Sequence, residues 1–215
     1  MTLNALIFDL DGTLVDSLPD IAAALNHALH AHELPTHSLD RVQEFVGDGV
    51  EYLIARGVPA ERPELRSAVL TSYRARYAEQ HDRLTRPYPG ILQLLQGLTE
   101  RQIPFAVLSN KPNPATQAVV ANVLPGVPFA FIAGERPGKP RKPDPTVAIE
   151  IAALLGLPPD RCGFVGDTGV DMRTGAGAGM TAIGVTWGYR GIDDLQRGGA
   201  HVIVGVPDEI LRLVG

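Results

Sequence analysis

Cysteine is nearly absent from this 215-residue chain, in which Cys162 is the single example. One thiol excludes an internal disulfide, and it is typical of a protein that is kept in a reducing cytoplasm. Because Cys162 has no metal-binding or redox-active neighbour in the sequence, we predict that it is a small buried side chain of the core.

Long apolar runs and an excess of basic charge are also lacking. No apolar run approaches the roughly 20 residues that a transmembrane helix needs. The first residues lead directly into a predicted strand, without the basic and apolar segments of a signal peptide, so we expect a cytoplasmic location. The formal net charge is −5 and the basic residues are scattered, which argues against nucleic acid or a membrane as a partner.

Short apolar runs alternate with helical stretches over most of the chain. The predicted strands are residues 3–8, 104–108, 129–133, 162–165, 181–185 and 201–204. The predicted helices are residues 91–101, 114–124, 146–155 and 169–177. This alternation predicts βαβ units, and therefore an α/β fold with a Rossmann-like, doubly wound parallel sheet.

Residues 16–86 interrupt this alternation, since they show helical signals and no strand. We therefore predict a small α-helical cap domain over residues 16–86, inserted into an α/β catalytic core of residues 1–15 and 87–215. The linkers near residues 14–18 and 83–87 lie where a hinge would let the cap close over the site.

Three helices are predicted within the insertion. The first has an apolar face formed by Leu18, Ile21, Ala22, Leu25, Ala28 and Leu29. Asp48 and Glu51 have the spacing of a capping box for a second helix that ends at Gly57. Pro63 can begin a third. Its apolar stripe is formed by Leu65, Val69, Tyr73 and Tyr77.

Two carboxylates, Asp9 and Asp11, follow the first predicted strand, and Gly12 then allows a sharp turn. In open α/β sheets, ligands bind in the crevice beyond the carboxyl ends of the strands. An acidic pair at that place can hold a hard cation and can supply a nucleophile and a proton donor. The alternative is an ordinary Asp-Gly turn, and the motif alone does not decide between the two.

Polar residues also follow a later strand, residues 104–108. The Ser109 hydroxyl and the backbone amides beside it, in Ser109-Asn110-Lys111, can donate to phosphate oxygens. Ordinary helix capping is the alternative interpretation. Lys142, at a predicted helix entrance, offers a compact positive charge that suits a phosphate, although a solvated surface lysine is the common case.

Asp167 and Asp171 follow the predicted strand at residues 162–165. Helix capping explains one of these carboxylates, but not the presence of acidic residues after two separate buried strands. A cluster of Asp9, Asp11 and Asp167 is costly to assemble without a cation. Mg²⁺ relieves that cost and prefers oxygen ligands.

These residues resemble the four motifs of the haloacid dehalogenase superfamily of phosphotransferases, in order and over essentially the whole chain. The matching segments are residues 9–17, Ser109, Lys142 with Pro-Asp-Pro after it, and residues 166–171. The helical insertion matches the subgroup that has a cap after the first motif. The second aspartate, Asp11, argues against the dehalogenases themselves, which lack it and use no metal.

The resemblance implies roles for the acidic residues. Asp9 is the implied nucleophile and Asp11 the general acid and base. Mg²⁺ is implied as the cofactor, bound by Asp9, the Asp11 backbone carbonyl and Asp167. Asp171 is implied to support the metal site from its edge.

Closer similarity is to bacterial phosphoglycolate phosphatases. It lies in residues 14–21, 45–50, 109–112 and 186–190. It implies that a cap loop of Gly47, Asp48 and Gly49 reaches the leaving group, with Asp48 where these relatives have Asn. Candidates for binding a substrate carboxylate are Lys111, Arg56 and Arg190, although for the two arginines a solvated surface charge is the favoured interpretation.

The expected function is therefore Mg²⁺-dependent hydrolysis of a phosphate monoester through an aspartyl phosphate, with 2-phosphoglycolate as the leading substrate. Ser109, Asn110 and Lys142 are the expected phosphate ligands. Pyrophosphate, a sugar phosphate handled by a phosphatase or phosphomutase, and a non-catalytic phosphate-sensing module are the alternatives. The expected partner is a small phosphorylated metabolite, and the protein is expected to be a monomer or a homodimer.

Overall fold

A parallel sheet with helices on both faces forms the centre of the computed structural model, which describes residues 2–80 and 83–215. The strands are β1 (Ala5–Phe8), β2 (Val15–Asp16), β3 (Arg86–Pro87), β4 (Phe105–Pro112), β5 (Phe131–Glu135), β6 (Cys162–Gly166), β7 (Thr181–Val185) and β8 (Val202–Val204). The α-helices are α1 (Leu18–Ala31), α2 (Leu39–Phe45), α3 (Val50–Gly57), α4 (Arg66–Gln80), α5 (Ile91–Glu100), α6 (Asn113–Val123), α7 (Thr146–Leu154), α8 (Gly169–Gly177) and α9 (Ile192–Gly198). Short 3₁₀ segments are Pro63–Leu65, Pro159–Arg161 and Pro207–Arg212.

The main sheet has six strands in the order β5-β4-β1-β6-β7-β8. Every neighbouring pair is parallel, and Leu6 of the central strand β1 lies between Phe105 and Gly163. The prediction of a doubly wound α/β fold is confirmed. Strand β5 begins two residues later than predicted, and the Phe129 ring before it packs edge-on against Phe105, with centroids 5.1 Å apart.

Alternate residues of β1 face opposite sides of the sheet. Leu6 and Phe8 join one core cluster with α5, whereas Ala5 and Ile7 join another with α7, and all four are fully buried. Burial of a large apolar side chain contributes roughly 1.5–3 kcal/mol, so this central strand is strongly anchored. Cys162 is buried in the second cluster, as predicted.

Strand β4 extends further than predicted. It runs to Pro112 with a change of register against β5 between Leu108 and Pro112. The segment Ser109-Asn110-Lys111 therefore forms the irregular end of a strand, and the turn into α6 comes after it. Its side chains still lie at the carboxyl end of the sheet, where ligands bind in such folds.

Helices α1–α4 form a second group between β2 and β3, with a hydrophobic cluster of their own. The predicted apolar face of α1 is buried, and Pro63 begins the 3₁₀ segment that leads into α4. Strands β2 and β3 pair antiparallel across the two linkers, a contact too short to detect from the sequence. The domain division stays a prediction, and residues 81 and 82 of the predicted cap lie outside the described residues. Within the described ranges, no helix is both long and apolar enough to cross a bilayer.

The capping box predicted from Asp48 and Glu51 is wrong. Helix α3 has Gly49 at its N-cap, with no side chain capping it. The Asp48 carboxylate instead accepts a hydrogen bond from Arg56 at 2.6 Å, and the Glu51 carboxylate accepts one from Arg141 at 2.6 Å. Both carboxylates therefore have charged partners, which compete with the backbone amides for them.

Candidate active site

Asp9 lies directly after β1, with its side chain almost wholly buried. Its Oδ1 accepts a hydrogen bond from the Leu10 amide at 2.7 Å and lies 2.8 Å from Nζ of Lys142. Burial raises the pKa of the Asp9 carboxyl to about 7, and the negative charge of Asp171 acts in the same direction, while Lys142 opposes both. The side chain is thus placed where its protonation depends strongly on a nearby positive charge.

Lys142 is shared between two carboxylates. Its Nζ lies 2.8 Å from Asp9 Oδ1 and 2.7 Å from Asp171 Oδ1, and its side chain is 2% exposed. Burial alone would lower the pKa of Lys142, but the charges and hydrogen bonds of Asp171 and Asp9 outweigh it and hold this pKa above its usual range. Lys142 is therefore a permanent cation beside Asp9.

Asn110 holds the backbone of Lys142 in place. The amide N–H of Lys142 donates to Asn110 Oδ1 at 2.9 Å, and Asn110 Nδ2 donates to the Lys142 carbonyl at 3.0 Å. Asn110 Nδ2 also lies 3.3 Å from the carbonyl oxygen of Gly47 in the cap. Both ends of the Asn110 side-chain amide therefore have protein partners, and the predicted contact of its backbone N–H with phosphate stays a prediction.

Asp167 and Asp171 follow β6 and are fully buried. Asp167 accepts hydrogen bonds from the Thr13 hydroxyl at 3.1 Å and from the Tyr189 amide at 2.8 Å. Asp171 closes a capping box at the start of α8, since its Oδ2 accepts from the Thr168 backbone amide at 3.1 Å. One oxygen each of Asp9, Asp167 and Asp171 lies within 4.8 Å of the other two.

This cluster fits a hard divalent cation. Lys142 contacts Asp9 and Asp171, whereas the donors to Asp167 among the residues that the structure describes are neutral. Burial, together with the charges of Asp171 and Asp9, raises the pKa of Asp167 to about 8. Carboxylates placed so closely in a buried site repel each other, and an oxygen-binding cation removes that cost. The Asp11 side chain lies outside this cluster, so only its backbone carbonyl stays a predicted ligand.

Asp11 forms a separate pair with Lys111. Lys111 Nζ lies 2.8 Å from each Asp11 carboxylate oxygen and 4.8 Å from the centre of the Tyr77 ring. Ser17 donates its hydroxyl to Asp11 Oδ1, and the Ser17 and Tyr189 oxygens are 3.2 Å apart. Sequence reasoning missed these supporting roles. Ser17 was detectable as the end of the first motif, but nothing in the sequence linked Tyr189 to Asp11.

A cavity of about 410 Å³ lies between the core and helices α1–α4. Asp9, Asp11 and Ser109 line one end of it, and Gly47 and Gly49 line it from the cap side. The Ser109 oxygen accepts from the Lys111 amide at 3.2 Å, which leaves the hydroxyl hydrogen available for another acceptor.

Neither arginine proposed for a substrate carboxylate lines this cavity. Arg56 pairs with Asp48 and donates to the Phe45 carbonyl at 2.9 Å. The guanidinium of Arg190 donates to the carbonyls of the cap residues Gln43, Glu44 and Val46. Arg190 is therefore neither a carboxylate ligand here nor a solvated charge, and it joins the backbone around α2 to the loop after β7.

Two glycines allow the close approach of backbone to Asp167. A Cβ on Gly12 would lie 2.4 Å from Asp167 Oδ2, and a Cβ on Gly188 would lie 2.2 Å from the Asp167 Cβ. The positive φ of 85° at Gly12 also disfavours any other residue. The turn after Asp11 is thus built around the buried Asp167 carboxylate.

Comparison with known proteins agrees with this geometry. Residues 6–185 match the family model of the haloacid dehalogenase-like hydrolases. The phosphoglycolate phosphatase of Pectobacterium atrosepticum is 30% identical over 99% of this chain and 93% of its own, and that of Aquifex aeolicus is 32% identical over 87% and 86%.

Solved structures give the same result. A crystal structure from Lactobacillus delbrueckii subsp. bulgaricus has a TM-score of 0.93 and 32% identity, with complete coverage of both chains. A predicted phosphoglycolate phosphatase from Haemophilus somnus has a TM-score of 0.90 and 27% identity over 99% of this chain and 98% of its own. The chain belongs to the haloacid dehalogenase-like hydrolase family.

Proposed function

We propose that this protein is a Mg²⁺-dependent phosphatase that hydrolyses a small phosphate monoester, with 2-phosphoglycolate as its leading substrate. The observation that carries the proposal is the position of Asp9. Its carboxylate lines the cavity, lies 2.8 Å from the buried Lys142 ammonium and belongs to a cluster of three carboxylates. The carboxylate proposed as the nucleophile thus faces the cavity and also contacts a buried cation and two further carboxylates.

In the first step, the Asp9 carboxylate attacks the phosphorus atom of the ester. The bond from phosphorus to the leaving oxygen breaks, and Asp11 gives its proton to that oxygen, so that an alcohol departs. Lys142 and the Ser109 hydroxyl stabilise the charge on the transferring phosphoryl group. Ser17 and Lys111 hold the Asp11 carboxylate in position through the contacts described above.

In the second step, water attacks the phosphorus atom of the aspartyl phosphate. Asp11, now a carboxylate, takes a proton from that water, and the Asp9 carboxylate is released with inorganic phosphate. The enzyme returns to its starting protonation state, because Asp11 loses one proton and gains one in each cycle.

The residues that would hold Mg²⁺ are Asp9, Asp167 and the Asp11 backbone carbonyl. Asp171 would act from the edge of the site, through its contact with Lys142. When bound, the cation would neutralise charge on the phosphoryl oxygens and reduce the repulsion among the clustered carboxylates. Burial raises the pKa of Asp9 and of Asp167, and a bound cation would favour the ionised forms of both.

The relatives at 30–32% identity support 2-phosphoglycolate as the substrate. Lys111 is the proposed partner for its carboxylate, because Lys111 lines the cavity beside Asp11. Gly47 and Gly49 are proposed to lie over the leaving group. The extra negative charge of Asp48 is offset by Arg56, which lies 2.6 Å away.

The test is phosphate release from 2-phosphoglycolate, sugar phosphates and pyrophosphate with Mg²⁺, with Asp9→Asn as the control. We expect turnover that favours 2-phosphoglycolate and is lost in Asp9→Asn. Preference for another ester with the same loss would retain the mechanism and overturn the substrate. Phosphoryl transfer to a sugar without phosphate release would indicate a phosphomutase, and binding without any turnover would indicate a phosphate sensor.

A further inference from the structure

The cavity at Asp9 is larger than a two-carbon phosphate needs. Its volume of about 410 Å³ falls within the range of roughly 300–1,000 Å³ that accommodates drug-sized ligands. A phosphate placed at Asp9 and Ser109 would fill only one end. The rest of the cavity extends between α3, α4 and α6.

The walls of this remaining part are mainly apolar. They are formed from the cap by Val50, Leu53, Tyr73 and Tyr77, and from α6 by Pro114 and Ala118. The rings of Tyr73 and Tyr77 are stacked, with centroids 5.5 Å apart, and form a continuous aromatic surface. Both side chains are buried, with 6% exposure each.

This apolar part of the cavity has little positive charge that could bind a second anionic group of a substrate. Among the described residues that line the cavity, the cations are Lys111 and Arg74. Lys111 pairs with Asp11, and Arg74 pairs with Glu51 at 2.8 Å. An apolar group can occupy this space without displacing either pair, whereas a carboxylate must compete for one of them.

The volume is not the result of a cap held away from the core. Arg141 of the core contacts Glu51 of α3 at 2.6 Å, and Arg190 donates to the Val46 carbonyl at 2.7 Å. Asn110 and Gly47 are also within hydrogen-bonding distance, at 3.3 Å. The apolar space therefore persists while the cap is in contact with the core.

We propose a further activity, the hydrolysis of phosphate monoesters whose leaving group is an extended alkyl or aryl chain. This proposal rests on the proposed phosphatase function and on the same two steps. The ester bond between phosphorus and oxygen breaks, the leaving oxygen takes the proton of Asp11, and one water supplies the oxygen of the released phosphate. The apolar chain lies between the Tyr73–Tyr77 surface and α6.

The first test is kcat/KM for a series of n-alkyl phosphates from methyl to octyl, measured with Mg²⁺. We expect an increase of about fourfold per methylene, the factor equivalent to about 0.8 kcal/mol, until the chain fills the cavity. The kcat/KM for phenyl phosphate should likewise exceed that for methyl phosphate. A flat or falling series, with methyl phosphate and 2-phosphoglycolate turned over, would overturn this proposal and leave the phosphatase intact.

A matched pair of variants locates the effect. Ala118 lines the cavity from α6, whereas Ala121 is exposed on the same helix. In Ala118→Leu, the ratio of kcat/KM for hexyl to methyl phosphate should fall at least tenfold, because the added side chain occupies the apolar space. Ala121→Leu should retain the wild-type ratio. If the ratio of kcat/KM for hexyl to methyl phosphate were equal in the two variants, the proposed location of the apolar chain beside α6 would be contradicted.

Binding of alkylphosphonates separates this proposal from the phosphatase itself. These compounds lack the ester bond to be broken, so calorimetric titration measures affinity without turnover. Tighter binding of hexylphosphonate than of methylphosphonate would support the apolar site even if no ester were hydrolysed, in which case the proposed activity alone would fail. Equal affinities would overturn the apolar site.

Discussion

Lys111 Nζ lies 2.8 Å from both carboxylate oxygens of Asp11, although the two residues are 100 positions apart in the chain. The pair joins the irregular end of β4 to the loop after β1, and the Lys111 and Asp11 side chains are only 6% and 13% exposed. Solvent screens the attraction between the two charges only weakly at such a buried site. The pair therefore orients the Asp11 carboxylate and keeps the Lys111 ammonium at the cavity wall.

Replacement of Lys111 by Met should therefore have two effects. The kcat for every ester should fall by about tenfold or more, because Asp11 loses the partner that orients it. The KM for 2-phosphoglycolate should rise more than that for methyl phosphate, because only the former has a carboxylate. Steady-state kinetics on both esters measures this difference.

The control is Lys139→Met, which removes an exposed lysine paired with Glu150. Exposed ion pairs contribute about 0–1 kcal/mol, so this variant should retain wild-type kinetics. An equal rise of KM for both esters in Lys111→Met would assign Lys111 to the positioning of Asp11 alone.

Gly12→Ala should displace the Asp167 carboxylate from the proposed metal site and lower phosphatase activity, whereas Gly126→Ala should not. Both glycines have positive φ, 85° and 76°, so both alanines are expected to cost roughly 1–2 kcal/mol of stability. Only the Cβ on Gly12 meets Asp167, at 2.4 Å, while that on Gly126 has no atom within 4 Å. Unfolding by urea and phosphatase activity, measured together, separate the shared backbone effect from the specific one. Similar activity of the two variants would argue against a functional role for the Gly12–Asp167 contact.

Stability of the Mg²⁺-free protein should fall as the pH rises from about 5 to about 8. Asp9 and Asp167 have pKa values of about 7 and 8 in the folded protein, against an ordinary value of 3.8, mainly because of burial. The unfolded chain therefore holds fewer protons than the folded protein within this window, and a rise in pH favours unfolding.

Mg²⁺ should reverse this trend, because its proposed ligands are the ionised forms of Asp9 and Asp167. We expect the stabilisation by Mg²⁺ to be at least about 1.4 kcal/mol larger near pH 8 than near pH 5, the equivalent of one pKa unit. Urea unfolding with EDTA or with Mg²⁺ at both pH values measures it. In Asp167→Asn, the free energy of unfolding should depend less on pH and should increase less when Mg²⁺ is added. An unchanged response to Mg²⁺ in that variant would exclude Asp167 as a ligand.

The sequence was sufficient to predict the central sheet, because its strands are short apolar runs that helices separate. It was also sufficient to locate Asp9 and Asp167 near one another, since residues directly after parallel strands meet at one edge of the sheet. The pairing of β2 with β3 was not predictable, because two residues on each side give no periodic pattern.

Errors arose where a polar side chain has a partner far away in the chain. The structural role of the Asn110 side chain was missed, because its amide group bonds to the Lys142 backbone, 32 residues later. Arg190 was interpreted as a surface charge, but it contacts carbonyls of α2 and its C-cap more than 140 residues earlier. Local sequence patterns contain no information on such contacts, which depend on how the cap is placed against the core.

The central claim, that Asp9 accepts the phosphoryl group, is tested most directly by mass spectrometry after rapid acid quenching. Asp11→Asn should be mixed with Mg²⁺ and p-nitrophenyl phosphate, whose leaving group departs without a proton. This variant lacks the base for the second step, so the phosphoryl group should accumulate on the peptide that contains Asp9. A phosphoryl group on another residue, or turnover with Asp9→Asn at the wild-type rate, would contradict the account.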